Sequence, residues 1–573
     1  MGRSEKAPIT ESPIASNFAA TSRTQSGEPD FETASEPHMN LRAHSKALSL
    51  DTEYKGSIIP PSSKARHKQR TLVLCFDGTG DQFDNDNSNV VNFFSLLAKG
   101  QSKQQLVYYQ AGIGTYTIPH IATPWSSKLR KTIDMMFGTS LNHHVMSGYE
   151  FLMQNYKRGD RICIFGFSRG AYTARALAGM IEKVGLLPAG NHQQVPFAYK
   201  MYMKDDEEGW KQSCLFKKFF SMDVDIEFVG VWDTVDSVGI FPRHVPFTKK
   251  NTCVKTFRHA ISLDEHRVKF KANLFDKAVT SESQNTDFSY TPFSQRRTNW
   301  RRRFSRKKDD AEILHEIEEK LEKNPVLQKE LGKTVKKDKY NKGSKLQEQY
   351  TDKTKETDVL EVWFAGCHTD VGGGSVPNET HYALARIPLR WMIRQCFLAN
   401  SGIQFQKDRL HEVGLDPELL YPIVQPRKFF KNEMVFEHNH LCSKCSTDSP
   451  ARESFLEKDG DSSTDSQNVS VVVDEEHEEL HDALSPVFDQ LALRRGWWIL
   501  ELLPLFHRYE LPDGNSIKTL SINAGRSRIV PQQKRDGIHV HRSVKVRMEA
   551  EAKALGKKYS PRVKLECDPT WVD

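Results

Sequence analysis

Ser168 stands in Gly166-Phe167-Ser168-Arg169-Gly170, directly after the apolar run Ile162-Cys163-Ile164-Phe165 and before a helical stretch in which Ala171, Thr173, Ala174, Ala176 and Ala178 keep the helix slim. In a G-x-S-x-G turn the serine is pushed out between a strand and a helix, and glycines flank it because a Cβ there would strike the neighbouring elements. Two titratable residues follow further apolar runs: Asp233 after Asp225 to Trp232, and His368 after Val359 to Phe364, with Gly372, Gly373 and Gly374 just beyond. The three types make a working set. A serine hydroxyl is a poor nucleophile until a base takes its proton; an imidazole titrates near neutrality, and a carboxylate fixes its tautomer and stabilises its cation. Ser168, Asp233 and His368 are therefore the candidate nucleophile, acid and base, with Asp236 a near rival for the acid.

Such a set needs strands that end at one edge of a sheet. Thr71 to Phe76 is a continuous apolar run of strand length ending in Asp77-Gly78-Thr79-Gly80, as a fully buried parallel strand would read. A helical stretch follows at Val90 to Leu97, then a strand at Leu106 to Tyr109. Leu141, Val145, Gly148, Tyr149, Leu152 and Tyr156 recur at helical spacing before the strand that leads to Ser168, and Gly185 is placed to end the helix after it. Alternation of strand and helix predicts a mostly parallel sheet with helices on both faces, an α/β fold of α/β-hydrolase type; Ser, Asp, His is the chain order of that fold's triad. The oxyanion of an acyl-transfer intermediate would take the backbone N–H of Arg169 and a second donor from the turn Asp77-Gly78-Thr79. A phosphate-transfer site of D-x-D-G-T type on the same turn would need an aspartate at position 75, where Cys75 stands.

The chain has 573 residues and a formal net charge of +7. Residues 1–69 are rich in Ser, Thr, Pro and charge and read as a disordered tail without a secretory signal or N-myristoylation site. The hydrolase domain is expected over 70–430, a disordered acidic segment over 446–481, and a C-terminal part that completes the fold over 491–573. No run approaches the ~20 apolar residues of a membrane span, Trp497 to Phe506 being the best candidate. Nine scattered cysteines suit reduced thiols better than a disulfide framework, which points to the cytoplasm and leaves the nucleus open.

Phe76-Asp77-Gly78-Thr79, Gly166 to Ala171, Val231-Trp232-Asp233-Thr234-Val235 and His368-Thr369-Asp370-Val371-Gly372-Gly373-Gly374 resemble the signatures of a bacterial and fungal family. That family contains the catalytic domain of type VI secretion phospholipase effectors. The likeness spans about Arg70 to Arg394. Arg258-His259-Ala260, Asp264 to Arg267 and Trp497 to Glu501 are similar to further segments of the fungal branch. The resemblance implies an α/β-hydrolase fold, a triad of Ser168, Asp233 and His368, and an ester, in some members a lipid ester, as substrate.

Two insertions interrupt the domain. The first, 281–357, carries eight basic residues and no acid between Arg296 and Lys308. There Arg296, Arg297, Arg301, Arg302 and Arg303 surround Trp300 and Phe304, a pattern that reads as peripheral membrane contact, a nuclear import signal or a solvated loop. The acidic second insertion is preceded by His438, His440, Cys442 and Cys445, too tightly spaced to wrap a zinc tetrahedron. No metal, cofactor or specific nucleic-acid partner is expected. The reading is a serine hydrolase acting on a carboxylic ester, an acyl lipid or phospholipid, through an acyl-enzyme; the competing class is a non-catalytic hydrolase-fold lipid-binding or scaffold protein.

Overall fold

Eight strands form the central sheet of the computed structural model: β1 (Thr71–Phe76), β2 (Gln105–Gln110), β3 (Arg161–Phe167), β4 (Ile226–Trp232), β5 (Val254–Ser262), β6 (Asp358–Phe364), β7 (His539–His541) and β8 (Thr570–Val572). The structure describes residues 57–61, 69–78, 81–112, 141–235, 246–275, 346–352, 354–427, 475–510, 516–531, 533–550 and 558–573. The order across the sheet is β2-β1-β3-β4-β5-β6-β7-β8, and every pairing in it is parallel. The direction of progression reverses between β1 and β3, the point where open parallel sheets leave a crevice at their carboxyl ends. Asp77 and Ser168 flank that crevice.

The buried strands divide their side chains between two cores. Val73, Cys75, Cys163, Phe165 and Trp232 enter one, and Leu72, Leu74, Phe76, Ile162 and Ile164 the other, as strict alternation along a doubly covered sheet requires. The first core is closed by α1 (Asn89–Leu96), the second by α2 (Leu141–Asn155) and α3 (Ser168–Val184). Helix α2 lies so close that a Cβ on Gly148 would come within 2.6 Å of Phe76 Cζ. Between β3 and β4 the chain forms α4 (Val195–Met203) and α5 (Glu207–Phe220). After β6 come α6 (His368–Gly372), α7 (Arg386–Leu398), α8 (Glu475–Leu484), α9 (Trp497–Leu502) and α10 (Arg542–Glu549).

Several expectations shift. Ile58 and Ile59, inside the expected tail, pair antiparallel with Gln406 and Phe405, because Ile59 gains a buried site there. Residues 475–481, inside the expected acidic disorder, form most of α8, their carboxylates matched by arginines. Residues 346–350, at the end of the first insertion, are helical, and Tyr350 stacks on Trp210 at 5.5 Å. The alternating stretch Ile538 to Val544 is strand only over 539–541 and turns into α10. Strand β5 is an addition that sequence reading did not supply. The basic block from Arg296 to Lys308, the His438 to Cys445 cluster, Thr79 and Asp236 lie outside the described residues. Among the described residues no helix is long and apolar enough to cross a membrane, and the cysteines are free thiols, five of them buried.

Candidate active site

Strand β3 ends at Phe167 and α3 begins at Ser168, whose φ of +58° is the left-handed value a tight strand-to-helix turn imposes on its central residue. The flanking glycines have no room to be anything else. A Cβ on Gly166 would lie 2.5 Å from the Gly170 carbonyl oxygen, and one on Gly170 would lie 2.2 Å from that of Phe76. Small residues hold the helix against the sheet: Ala171, Thr173, Ala174, Ala176 and Ala178 are all buried, and Gly185, with φ +69°, ends it as expected.

Asp233 follows β4 directly, also at positive φ (+40°), its N–H donating to Ala260 O at 2.7 Å. His368 opens α6. Its position is fixed by a capping arrangement in which Cys367 N donates to Asp370 Oδ2 at 2.8 Å, and by Gly366, whose N–H donates to Asp264 Oδ2 at 2.7 Å. The three side chains meet. His368 Nε2 lies 2.8 Å from Ser168 Oγ and His368 Nδ1 lies 2.5 Å from Asp233 Oδ2. The imidazole is buried between the rings of Phe167 and Phe270, each with its centroid 4.7 Å away. This is the geometry in which a serine proton can pass to a base whose other nitrogen is held by a carboxylate.

A fourth residue enters from the far end of the chain. Arg528, buried, forks Asp233, with NH1 at 2.5 Å from Oδ1 and NH2 at 2.8 Å from Oδ2, and it also donates to Ser262 Oγ at 2.8 Å and, through Nε, to Phe270 O at 2.9 Å. Burial pushes the Asp233 carboxyl up, but Arg528 and the His368 contact outweigh it and hold the carboxyl well below its usual range. Burial also lowers the pKa of His368; the Asp233 contact opposes that, and Arg267 adds to it. The resting pair is an ionised aspartate and a neutral imidazole, the state a general base needs.

At the turn after β1, Asp77 is buried and accepts from Ser88 Oγ at 2.6 Å, from Tyr109 OH at 2.7 Å and from the N–H of Gly78 at 2.8 Å. The carboxyl is thus a pin for the turn. Gly78 packs on the residue before the nucleophile: a Cβ there would lie 2.9 Å from Phe167 Cδ1. Its N–H, expected as an oxyanion donor, is engaged by Asp77 in this state. Arg169 follows the serine directly, and Lys269 is close enough to feel its charge. Burial lowers the pKa of both, Arg169 to about 10, while Asp81 partly restores the former.

Sequence reasoning did not find Arg528. It is 295 residues from its partner in the chain, and no motif surrounds it. In the sequence Glu501 stands out only as a charge within the apolar run Trp497 to Phe506 and as the end of the Trp497 to Glu501 resemblance; buried, it accepts from Val268 N at 2.6 Å, Asn523 Nδ2 at 2.6 Å and Gly525 N at 3.0 Å, and so ties the segment carrying Arg528 to the loop carrying Phe270.

Residues 70–395 match the family described as T6SS, Phospholipase effector Tle1-like, catalytic domain. An uncharacterized protein of Saccharomyces cerevisiae is 30% identical over 553 residues, covering 85% of this chain and 80% of its own. Among solved structures, an uncharacterized protein from Pseudomonas aeruginosa is 16% identical with a TM-score of 0.28, covering 61% of this chain and 48% of that one. The Tle1 effector bound to the VgrG spike of the type 6 secretion system is 18% identical with a TM-score of 0.23, covering 39% of this chain and 52% of that one. The chain thus spans about half the length of each solved relative. The family match over more than half of its residues, with a 30% identical relative along most of its length, makes this chain a member of the Tle1-like phospholipase effector catalytic domain family.

Proposed function

We propose that the protein is a serine hydrolase that cleaves the carboxylic ester of an acyl lipid through an acyl-enzyme. The observation that carries the reading is the unbroken hydrogen-bond chain from Ser168 Oγ through His368 to Asp233 in a buried setting. In the first half-reaction Ser168 Oγ attacks the acyl carbon while His368 Nε2 takes its proton. The N–H of Arg169 faces the developing oxyanion, and His368 then returns the proton to the leaving alkoxide as the ester C–O bond breaks. A water repeats the sequence on the acyl-enzyme, releasing the fatty acid and restoring the Ser168 hydroxyl. Lipid as the substrate class is supported by membership of a phospholipase effector domain family. A phosphate-transfer role for Asp77 is disfavoured, since three donors hold its carboxylate in place.

A fluorophosphonate probe is expected to label the full chain at Ser168, as located by mass spectrometry. Ser168→Ala is expected to abolish labelling and to lower kcat on phosphatidylglycerol or phosphatidylcholine by on the order of 10⁴ or more. His368→Ala should do nearly the same, and the double variant little worse, because the residues act as a unit. Wild-type turnover in Ser168→Ala would remove the assignment. A folded wild type that neither labels nor cleaves any ester would leave the scaffold reading in its place.

A further inference from the structure

Helix α9 has two unlike faces. Glu501 points inward to its three buried donors, and Trp497 packs edge-on against Phe270 at 5.5 Å, which in turn meets the His368 ring at 4.7 Å. Arg267 stacks over both aromatic rings, 3.6 Å from the Phe270 centroid and 4.9 Å from that of Trp497. On the other face Trp498, Ile499 and Leu502 recur at helical spacing, with Leu503 just beyond and Leu493 just before, and all five are exposed, Ile499 to 68% and Leu502 to 60%. Five large apolar side chains gathered on one short stretch are unusual on a free surface. Arg494 and Arg495, both exposed, precede the helix, and from 490 to 505 the sole acid is Glu501, which is buried and committed.

We propose that this face, Leu493, Trp498, Ile499, Leu502 and Leu503 rimmed by Arg494 and Arg495, is the surface by which the protein seats itself on an anionic lipid bilayer. The occupant is set by three features. A protein partner of ordinary chemistry would be met with hydrogen-bonding groups among the apolar ones, whereas here the exposed helix face offers none but the indole N–H, which suits the water–lipid boundary. The guanidinium groups stand at the margin, where they meet phosphate and carboxylate head groups while the aliphatic chains enter the acyl region. The inner side of the same helix packs, through Trp497 and Phe270, against the His368 ring, so a bilayer on the outer side would lie near the candidate active site. The use of that proximity rests on the ester-hydrolase reading; the seating itself does not.

The test is co-sedimentation of the full chain with sucrose-loaded vesicles of phosphatidylcholine, with and without phosphatidylserine at about one lipid in three. Wild type and Ser168→Ala are expected to bind the anionic vesicles equally. Ile499→Asp with Leu502→Asp should weaken binding more than tenfold and slow hydrolysis of vesicle lipid, with hydrolysis of a soluble short-chain ester unchanged. Arg494→Gln with Arg495→Gln should weaken binding to the anionic vesicles by roughly fivefold per residue and leave binding to pure phosphatidylcholine unaltered. That second pair lies outside the apolar face, so it keeps the test open should the aspartate variant fail to fold. The proposal is overturned if wild type does not bind anionic vesicles, or if either pair, folded, binds them as wild type does. It is equally overturned if wild type is a dimer that the aspartate pair converts to monomer while neither form binds vesicles, since a second copy then covers the face. Vesicle binding by a wild type that cleaves no ester would keep the surface and refute the hydrolase reading alone.

Discussion

Asp233 faces His368 with one oxygen and Arg528 with both. The consequence is electrostatic. Burial holds the His368 imidazole below the ordinary histidine range and Arg267 adds to this, while Asp233 opposes it; an aspartate shared with a guanidinium opposes it less than a free one would, and in the proposed mechanism His368 is lost as a base when pH falls through that lowered value. Removing the guanidinium leaves Asp233 to act on His368 alone, which raises the pKa of the imidazole. Arg528→Met is therefore expected to move the acid limb of the kcat/KM profile to higher pH and, by loosening Asp233, to lower kcat by roughly 10²-fold. Arg528→Lys keeps the charge and loses the fork, so its limb should stay near the wild-type position while kcat still falls. A parallel drop in both variants with no movement of the limb would make Arg528 a packing residue only. Ser168, Asp233 and His368 each follow a buried strand, so local composition exposes them; Arg528 sits in Ser527-Arg528-Ile529, where nothing local marks it, and only the folded chain gives it a partner.

At the scale of elements, the elbow works because backbone meets backbone. The Gly170 position leaves a Cβ only 2.2 Å from Phe76 O and 2.3 Å from Asp77 O, and Phe76, paired with Gln110 on one side and Gly166 on the other, cannot step aside without disturbing both ladders. Gly170→Ala is expected to destabilise the fold by about 1–3 kcal/mol or more and to abolish fluorophosphonate labelling. Gly100→Ala, with nothing within 4 Å of the added methyl, should change neither. Equal urea midpoints for the two variants would mean the turn relaxes more easily than its packing indicates. The strands that sequence reading located were those with unbroken apolar runs. Strand β5 escaped because Val254-Lys255-Thr256-Phe257-Arg258-His259 looks half polar. Lys255 is exposed, but Arg258 and His259 are buried, each with partners: Arg258 bonds Gln395 Oε1 at 2.8 Å and Asp358 Oδ2 at 2.6 Å, while His259 bonds Glu361 Oε1 at 2.9 Å and accepts from Thr234 N at 3.0 Å. Those partners come from β6, α7 and the turn after β4, so the strand's polarity becomes intelligible only once the sheet is assembled.

Across the whole molecule, the residues beyond 395 are bound to the family domain by charge as much as by apolar contact. Helix α7 presents Arg386, Arg390 and Arg394 four residues apart, and α8 answers with Glu478 at 2.8 Å from Arg386, Asp482 at 2.7 Å from Arg390 and Glu475 at 3.0 Å from Arg394. Glu479 lies at the centre of the next layer, 2.5 Å from Arg427 and 3.0 Å from Arg542, beside Asp573 and His541. Glu479, His541 and Asp573 bring ligand atoms within 4.8 Å of one another, yet Arg427 and Arg542 already match the carboxylates, so the cluster is an ion-pair network. Sequence reading took residues up to 481 for acidic disorder because high negative charge without a visible counter-charge reads that way; the counter-charges are supplied by helix α7, Arg427 and α10.

A buried pair of this kind is held in place by what its removal would strand. Replacing Glu479 leaves Arg427 and Arg542 facing each other with too little negative charge between them, in a place from which water is excluded. Glu479→Gln is therefore expected to cost about 3–5 kcal/mol at pH 7, read as a lowered urea midpoint with unchanged m-value, and salt at about 0.5 M, where the screening length is about 4 Å, should alter that difference little. The sign of the pH dependence follows from the same contacts. Burial raises the Glu479 carboxyl, but Arg427, His541 and Arg542 more than reverse this and leave it well below its usual range. A carboxyl depressed on folding contributes stability that is present above its unfolded value, near pH 4.5, and is lost as pH falls through the folded value. Wild type should thus lose its advantage over Glu479→Gln progressively below that pH, the two urea curves converging in acid. Curves that stay equally far apart from pH 7 down to pH 3, a span of about four units, would place the stabilisation in shape complementarity and not in the ionised carboxylate.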